Sequence, residues 1–400
     1  MTITIHRGTH QIGGCATEIC SGDTRIIIDM GSELPGVDGI IPEETLSIPG
    51  VTDGELNCDG IFFIHAHGDH IGQLERIPES IPLYMGRTAK ELCKILNHHL
   101  NSVPSLDKTT VLNALDRVRT FQMAERIRIG SITVTPFWID HSAFDAYMFL
   151  IEVEGLRILH TGDFRLHGYR GRKTIPMLKK YVGQVDWVIC EGTMLSRTTE
   201  KVMTEYDLQS KARGLMKQHK RVFVLCSSMN IDRIAGMIHA RPDNRPVICD
   251  PYQKKILKFV EKTHGHKARL YRFGRLECNV NHLLIDNGYE NGCLALIRAN
   301  DWSRKLLSYY DDAKVIYSMW DGYLEGKTAN QKLISLLDGY EPEYLHTSGH
   351  AAADELREVM DVLRPRKGII PIHTEAPQKF QELFPQYHIF RLSDRETAPL

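Results

Sequence analysis

The sequence predicts an α/β protein in two domains, and three observations carry that reading. Short β-rich runs, each ending in Gly, Asp or His, fill the first half with helical stretches between them. After about Ser196 the rhythm changes to alternating helix and strand, the pattern of a parallel sheet with crossover helices. Four hundred residues also exceed what a single core usually holds.

In chain order, the first-half strands are TRIIIDMG (24–31), GIFFIHA (60–66), ITVTPFWI (132–139), YMFLIEV (147–153), LRILHTGD (156–163) and VDWVICEG (185–192). Residues 87–100 and 107–118 read as helices among them, and GTHQIGG (8–14) as a hairpin or loop. The second style runs helix 206–220, strand 222–228, helix 231–240, strand 246–250, helix 254–262 and strand 268–273, with strands 294–299 and 313–320 after it. A helix at 353–364 and a strand at 368–375 return to the first style. The domain expectation is therefore 1–195, an inserted 196–345, and a return segment 346–400.

Composition excludes several classes. With 42% hydrophobic and 25% charged residues the chain is an ordinary globular one. No apolar run reaches the roughly 18 residues of a membrane span, so no membrane partner is expected. The opening MTITIHRGTHQIGG lacks the basic and apolar regions of a secretion signal. Nine scattered cysteines without a CxxC pair fit reduced thiols in a cytoplasmic protein. Net charge is −1, but residues 196–345 carry 24 Lys and Arg against 18 Asp and Glu, and the remainder 25 against 32. A basic segment beside an acidic one suits a polyanion clamp facing a cation site, and equally an ordinary solvated surface.

The chemistry concentrates in FFIHAHGDHIGQL (62–74), with three histidines and an aspartate inside six positions after an apolar run. His65 and His67, two apart, share a face of an extended segment. Asp69 and His70, one turn on, offer an oxygen and a nitrogen to a second ion, with Gly68 freeing the turn. Imidazole with carboxylate suits zinc with open positions for water. Further donors close other strands: His141 in DHSAFDA, Asp163 in HTGDF and His373 in PIHTE. Singly, each reads as a turn cap or a satisfied polar group. Together at strand termini they form a pattern, because a rigid sheet holds ligands better than loops do.

HAHGDH, DHSAFDA and HTGDF resemble the motifs of the metallo-β-lactamase fold. CEGT (190–193), SGHA (348–351) and PIHTE (371–375) resemble the further motifs of the beta-CASP nucleases, and the layout is most similar to ribonuclease J and its relatives. The resemblance implies an αββα sandwich with an inserted α/β beta-CASP domain. It implies that His65, His67 and His141 hold one zinc, that Asp69, His70 and His373 hold the other, and that Asp163 bridges them. Mn²⁺ or Mg²⁺ are substitutes to consider. Asp69, Glu191 and His350 are the catalytic candidates, the last two a carboxylate–histidine pair at the domain interface. Ser348, Gly349 and Ala351 are candidates for phosphate contact. So are Ser228 and Asn230 in CSSMNIDR, where Met229 interrupts the Ser-Asn pair of relatives and a plain helix N-cap is the competing reading. Thr374 stands where Gly is common, a change expected at the rim of the site.

The implied function is a two-zinc ribonuclease, a 5′–3′ exonuclease, an endonuclease or both, acting on single-stranded RNA in processing or decay. The alternatives are a hydrolase of the same fold acting on DNA or on a small-molecule ester, and a non-catalytic RNA-binding subunit. A homo-oligomer stays open. His98 and His99 read as surface residues, and Trp302, Tyr309, Tyr310 and Trp320 as core or as base-stacking groups.

Overall fold

Isoleucine, valine and phenylalanine at alternate positions place two sheets face to face. The computed structural model describes residues 1–44, 46–197, 202–242, 245–278, 292–310 and 312–400. They form two units: Met1–Leu34, Ile41–Lys201 and Gly349–Leu400 make the first, and Pro35–Ile40 with Val202–Ser348 the second.

In the first unit, one sheet runs in the order Glu396–Pro399, Thr2–Arg7, Ala16–Ser21, Thr24–Ile28, Gly60–Phe62, Leu83–Gly86, Arg119–Phe121. The other runs Gly368–Ile372, Trp187–Glu191, Leu156–His160, Ala146–Val153, Ile132–Ile139, Ile127–Ile129. Ile3, Ile26 and Phe62 of the first sheet meet Val134, Phe149 and Ile370 of the second in one buried core. The intervening residues Met148, Leu159, Val188 and Ile369 face outward onto Leu178, Val359 and Phe380 of the covering helical segments. Each such fully buried aliphatic or aromatic side chain contributes about 1.5–3 kcal/mol. Helix Arg87–Asn101 packs on strands Leu83–Gly86 and Arg119–Phe121 at one end of the first sheet and buries Ala89, Leu92 and Cys93. Asp145 accepts from the amides of Thr88 and Ala89 at that helix's start (2.8 and 3.0 Å). The layers are helix, sheet, sheet, helix.

The parallel pairings matter for function. Thr24–Ile28, Gly60–Phe62 and Leu83–Gly86 are parallel neighbours, as are Leu156–His160, Trp187–Glu191 and Gly368–Ile372. Their carboxyl ends therefore lie on common edges, where the loops bearing Asp29, His65, Asp163, Glu191 and His373 begin.

The second unit holds six parallel strands in the order Leu276–Glu277, Val247–Cys249, Cys293–Ile297, Arg221–Leu225, Lys314–Tyr317, Glu343–Tyr344. Its helices start where the sequence caps them: Thr204 with Asp207 before Glu205–Gln218, and Asp250 before Pro251–His264. Arg233, fully buried, is held by Glu205 at 2.8 Å. The segment Pro35–Ile40 joins this unit, where Asp38 donates to Ala329 O and accepts from Gln331 N (2.8 and 2.9 Å).

One expected strand is absent. Residues 268–273 form a 3₁₀ turn at Arg269–Tyr271. The amides of Phe273 and Gly274 are taken by the Glu261 carboxylate (2.7 and 3.1 Å) and so are unavailable to a ladder. Only Leu276–Glu277 pairs with the neighbouring strand. Among the described residues no helix is long and apolar enough to cross a membrane.

Candidate metal centre

Strand Gly60–Phe62 gives way to an extended segment bearing His65 and His67, then to a short helix, Gly68–Ile71, that presents Asp69 and His70. That helix is clamped by backbone: Met30 N donates to His70 O (2.9 Å), Ser32 N to Gly68 O (3.0 Å) and Cys15 N to Asp69 O (3.1 Å). Glycine is required here at Gly31 rather than at Gly68. A Cβ on Gly31 would lie 1.7 Å from the Asp69 carbonyl oxygen, whereas one on Gly68 would meet nothing, and Gly68 lies outside the left-handed region. The expected freedom at Gly68 is thus corrected to close approach at Gly31.

Two groups of donors converge. His65, His67 and His141 bring one ring nitrogen each within 4.8 Å of one another. Asp69, His70, Asp163 and His373 do the same with two oxygens and two nitrogens, and Asp163 also groups with His141 and His350. All seven donors predicted at distant strand ends come together. Both ring nitrogens of His65 are buried and have no hydrogen-bond partner among the described residues. A buried polar atom left unsatisfied is costly, and a cation among these imidazoles satisfies it. The residues fit a metal.

The orienting bonds agree. His141 Nδ1 donates to Gly349 O (2.7 Å), leaving Nε2 toward His67, 3.4 Å away. His70 Nδ1 meets Asp29 (2.9 Å) and Nε2 meets Asp163 (3.0 Å). Thr193 Oγ1 donates to the His373 carbonyl (3.2 Å), so it accepts from His373 Nδ1 (2.7 Å). His373 Nε2 then faces Asp69 and Asp163 at 3.4 and 3.6 Å. His373 is itself in the left-handed region, with φ of 49°, and its amide is tied to Gly8 O at 2.7 Å. This contact brings the GTHQIGG loop to the edge of the site.

Electrostatics separate the two groups. Burial, reinforced by neighbouring imidazoles, pushes His65 and His141 well below the usual histidine range, and burial lowers His67 too. Burial acts the same way on His70 and His373. For His70 the carboxylates of Asp163, Asp69 and Asp29 outweigh it and raise it well above the usual range, and Asp163 leads in raising His373. Burial would raise Asp163 and Asp69, but His373 and His70 hold the first, and His70 and His373 the second, below the usual carboxylate range. Asp29 is raised, chiefly by burial.

Beside the donors stands a second pair. His350 Nδ1 lies 3.2 Å from Glu191 Oε2 and 3.8 Å from Asp163. Glu191 is fully buried and fixed by the amides of Phe164 (3.1 Å), Thr193 (3.1 Å) and Ala351 (3.3 Å). Both members of the pair belong to the first unit.

Other expectations fare differently. Ala351 gives its amide to Glu191 and buries its side chain, so it is not offered to a phosphate. Gly349 precedes it, and its carbonyl orients His141. Ser348 is the last residue of the second unit. Ser228 and Asn230 lie in that unit beyond strand Arg221–Leu225. Asn230 caps helix Ile231–Ala240, and the buried Ser228 hydroxyl has no partner among the described residues. Thr374 is not at a rim: it is fully buried and donates to Gly192 O at 2.9 Å. His98 is exposed on helix Arg87–Asn101, and neither it nor His99 joins a donor group. Trp302 and Tyr310 pack against the second unit's core. Asp29 and Thr193 were not anticipated. Asp29 had position as its signal, just after an apolar strand, and Thr193 had its place in the CEGT motif.

Fold and donor set together define a metal-dependent hydrolase. Residues 24–222 match the beta-lactamase superfamily domain, and residues 341–389 match the Zn-dependent metallo-hydrolase RNA specificity domain. Ribonuclease J of Mycoplasma pneumoniae is 23% identical over 92% of this chain and 67% of its own length. Ribonuclease J of Helicobacter pylori (strain ATCC 700392 / 26695) is 28% identical over 93% of this chain and 56% of its own. Endoribonuclease ysh-1 of Neurospora crassa is 27% identical over 54% of this chain and 26% of its own. A crystal structure of a protein of unknown function from Enterococcus faecalis V583 shares the fold, with a TM-score of 0.76 and 21% identity over 100% of this chain and 99% of that one. The chain resembles the beta-CASP nucleases of the metallo-β-lactamase superfamily and is similar to ribonuclease J.

Proposed function

We propose that this protein is a two-zinc ribonuclease that hydrolyses phosphodiester bonds of single-stranded RNA. The observation that carries the reading is the pair of donor groups meeting at Asp163, one built on a His65 ring that is sealed from solvent and unpartnered. The RNA specificity segment, residues 341–389, spans both His350 and His373 and supports RNA as substrate. In this reading His65, His67 and His141 hold one ion, Asp69, His70 and His373 the other, and Asp163 serves both. When bound, two divalent cations make water nucleophilic near neutral pH and neutralise charge on a phosphodiester.

The protein's own groups supply the rest. Glu191, fixed by three amides, accepts from Nδ1 of His350 and leaves Nε2 to carry a proton to the departing sugar oxygen. Asp29, Gly349 and Thr193 hold His70, His141 and His373 with Nδ1 engaged, so that Nε2 points into the site. All nine cysteines are free thiols, which suits a cytoplasmic setting.

The test pairs metal analysis with cleavage of 5′-monophosphorylated, 5′-triphosphorylated and circular RNA. About two zinc ions per chain and RNA turnover are expected. Digestion of linear RNA alone marks an exonuclease, and cutting of the circle an endonuclease. Trace metal, or zinc without cleavage of any RNA, overturns the reading.

A further inference from the structure

We infer that the inserted unit carries an anion site of its own, a depression formed by Arg241, Arg269 and Arg272 that takes the phosphate backbone of single-stranded RNA. The inference rests on the ribonuclease reading for the identity of the polyanion. None of its residues belongs to the metal centre.

The depression has a volume of about 270 Å³ and is lined by Ile238, His239, Arg241, Arg269, Arg272, Phe273 and Gly274. Three guanidinium groups and no carboxylate contribute to it. Among the described residues none of the three forms an ion pair. Arg241 donates through Nη1 to Ile238 O at 2.7 Å, yet its Nε is sealed from solvent and has no partner. Burial depresses the Arg241 guanidinium, and among the described residues no carboxylate offsets it. Arg272 uses only Nε, on Gly265 O at 2.7 Å, which leaves the rest of its fork outward. His239 gives Nε2 to Leu270 O at 2.8 Å and brings no charge of its own to the depression, because burial lowers its pKa.

The nearest acid in sequence is already committed. Glu261 is the one acidic residue between Lys258 and Arg275, against six lysines and arginines. Its Oε1 accepts from the amides of Phe273 and Gly274, and its Oε2 from Lys258 at 2.6 Å. The same Glu261 contacts that abolish a strand at 268–273 therefore shape the loop and remove the internal counter-charge. A concave cluster of cations with its acid withdrawn gains most from an external anion.

Extent identifies that anion. The cationic run continues past the depression through exposed Lys262 and Lys267, while Arg275 beyond them is ion-paired with Glu277. A polymer of phosphates meets such a track at several points, whereas an isolated anion uses one. Phe273 is buried, so no aromatic face is offered to a base. Binding here is to backbone and insensitive to sequence.

The test measures binding of a phosphorothioate-linked 20-mer, made as oligo-A and as oligo-U, to the full chain by fluorescence anisotropy at several salt concentrations. The comparison is with Arg269→Ala and with Arg269→Ala/Arg272→Ala. The double variant is expected to bind on the order of tenfold more weakly, equally for both oligomers. The slope of log K against log salt should fall by about 1.4, two contacts at about 0.7 each for a single strand. Hydrolysis of a dinucleotide should be unchanged. Arg269→Ala alone, which removes no internal bond, should give about half the slope change.

Unchanged affinity and slope in both variants overturn the site, whatever the wild type does to RNA. A wild type that binds the oligomers with the expected slope but cleaves no RNA leaves the site standing and removes the ribonuclease reading. Binding of a poly-glutamate peptide that is lost in the double variant, with RNA binding intact, overturns RNA as the occupant.

Discussion

The two donor groups of the metal centre are built from the same residue types and behave oppositely. His65, His67 and His141 include no carboxylate among themselves, and burial keeps their imidazoles neutral, the form that binds a cation. Asp69, His70, Asp163 and His373 interleave acid and base, so each carboxyl is held ionised and each imidazole is driven toward protonation. The first group is neutral and would offer a cation three nitrogens beside the shared Asp163. The second brings negative charge, and a cation bound there would have to displace protons from His70 and His373. The difference teaches that one pocket can offer two sets of donors on unequal electrostatic terms.

The comparison breaks most completely at Asp163, the donor next to both groups. Asp163→Asn is expected to abolish RNA cleavage and lower the zinc content of both positions, whereas His67→Ala abolishes cleavage but removes about one ion. Elemental analysis beside single-turnover assays checks this, and a variant that also loses cooperative unfolding would make the centre structural. Next comes His350→Ala, with a loss in the cleavage step of about 10²–10⁴-fold and both ions retained. Unchanged single-turnover cleavage would remove His350 from the chemistry. Asp29→Asn should weaken the ion of the mixed group by about 10–100-fold and leave the all-histidine group unaffected, read by chelator competition.

The smallest effect concerns acid stability. His160 is buried, accepts from the Gly162 amide through Nδ1 at 3.1 Å, and is pushed by burial, with a lesser push from His70, to about 3. The unfolded chain takes up that proton near pH 6.5, so stability is present above that value and lost as pH falls toward 3. His160→Gln should flatten this part of the pH–stability curve, measured by urea midpoints at pH 7.5 and 5. An equal loss in variant and wild type would assign the acid sensitivity elsewhere.

Much of this was legible in the residues, for a physical reason. Strands buried on both faces read as continuous apolar runs, so 24–31, 132–139 and 185–192 stood out, and the donors sit where those runs stop. The N-terminal strands Thr2–Arg7 and Ala16–Ser21 did not stand out, because Thr, His and Glu interrupt them. The 268–273 turn was misread because its amides are claimed by Glu261, an acceptor on a preceding helix that strand propensity does not register. The orienting groups were the least visible. Asp29 lies 41 positions from His70 and Thr193 lies 180 from His373, and only the fold closes those gaps.

The left-handed backbone of His373 sets a tension between folding and chemistry. A β-carbon at φ of 49° costs roughly 1–2 kcal/mol, and glycine or asparagine would bear that conformation more easily. Substitution by either residue at this position would thus relieve that backbone strain while discarding a proposed ligand. The strain is borne at a residue that the proposed chemistry cannot give up.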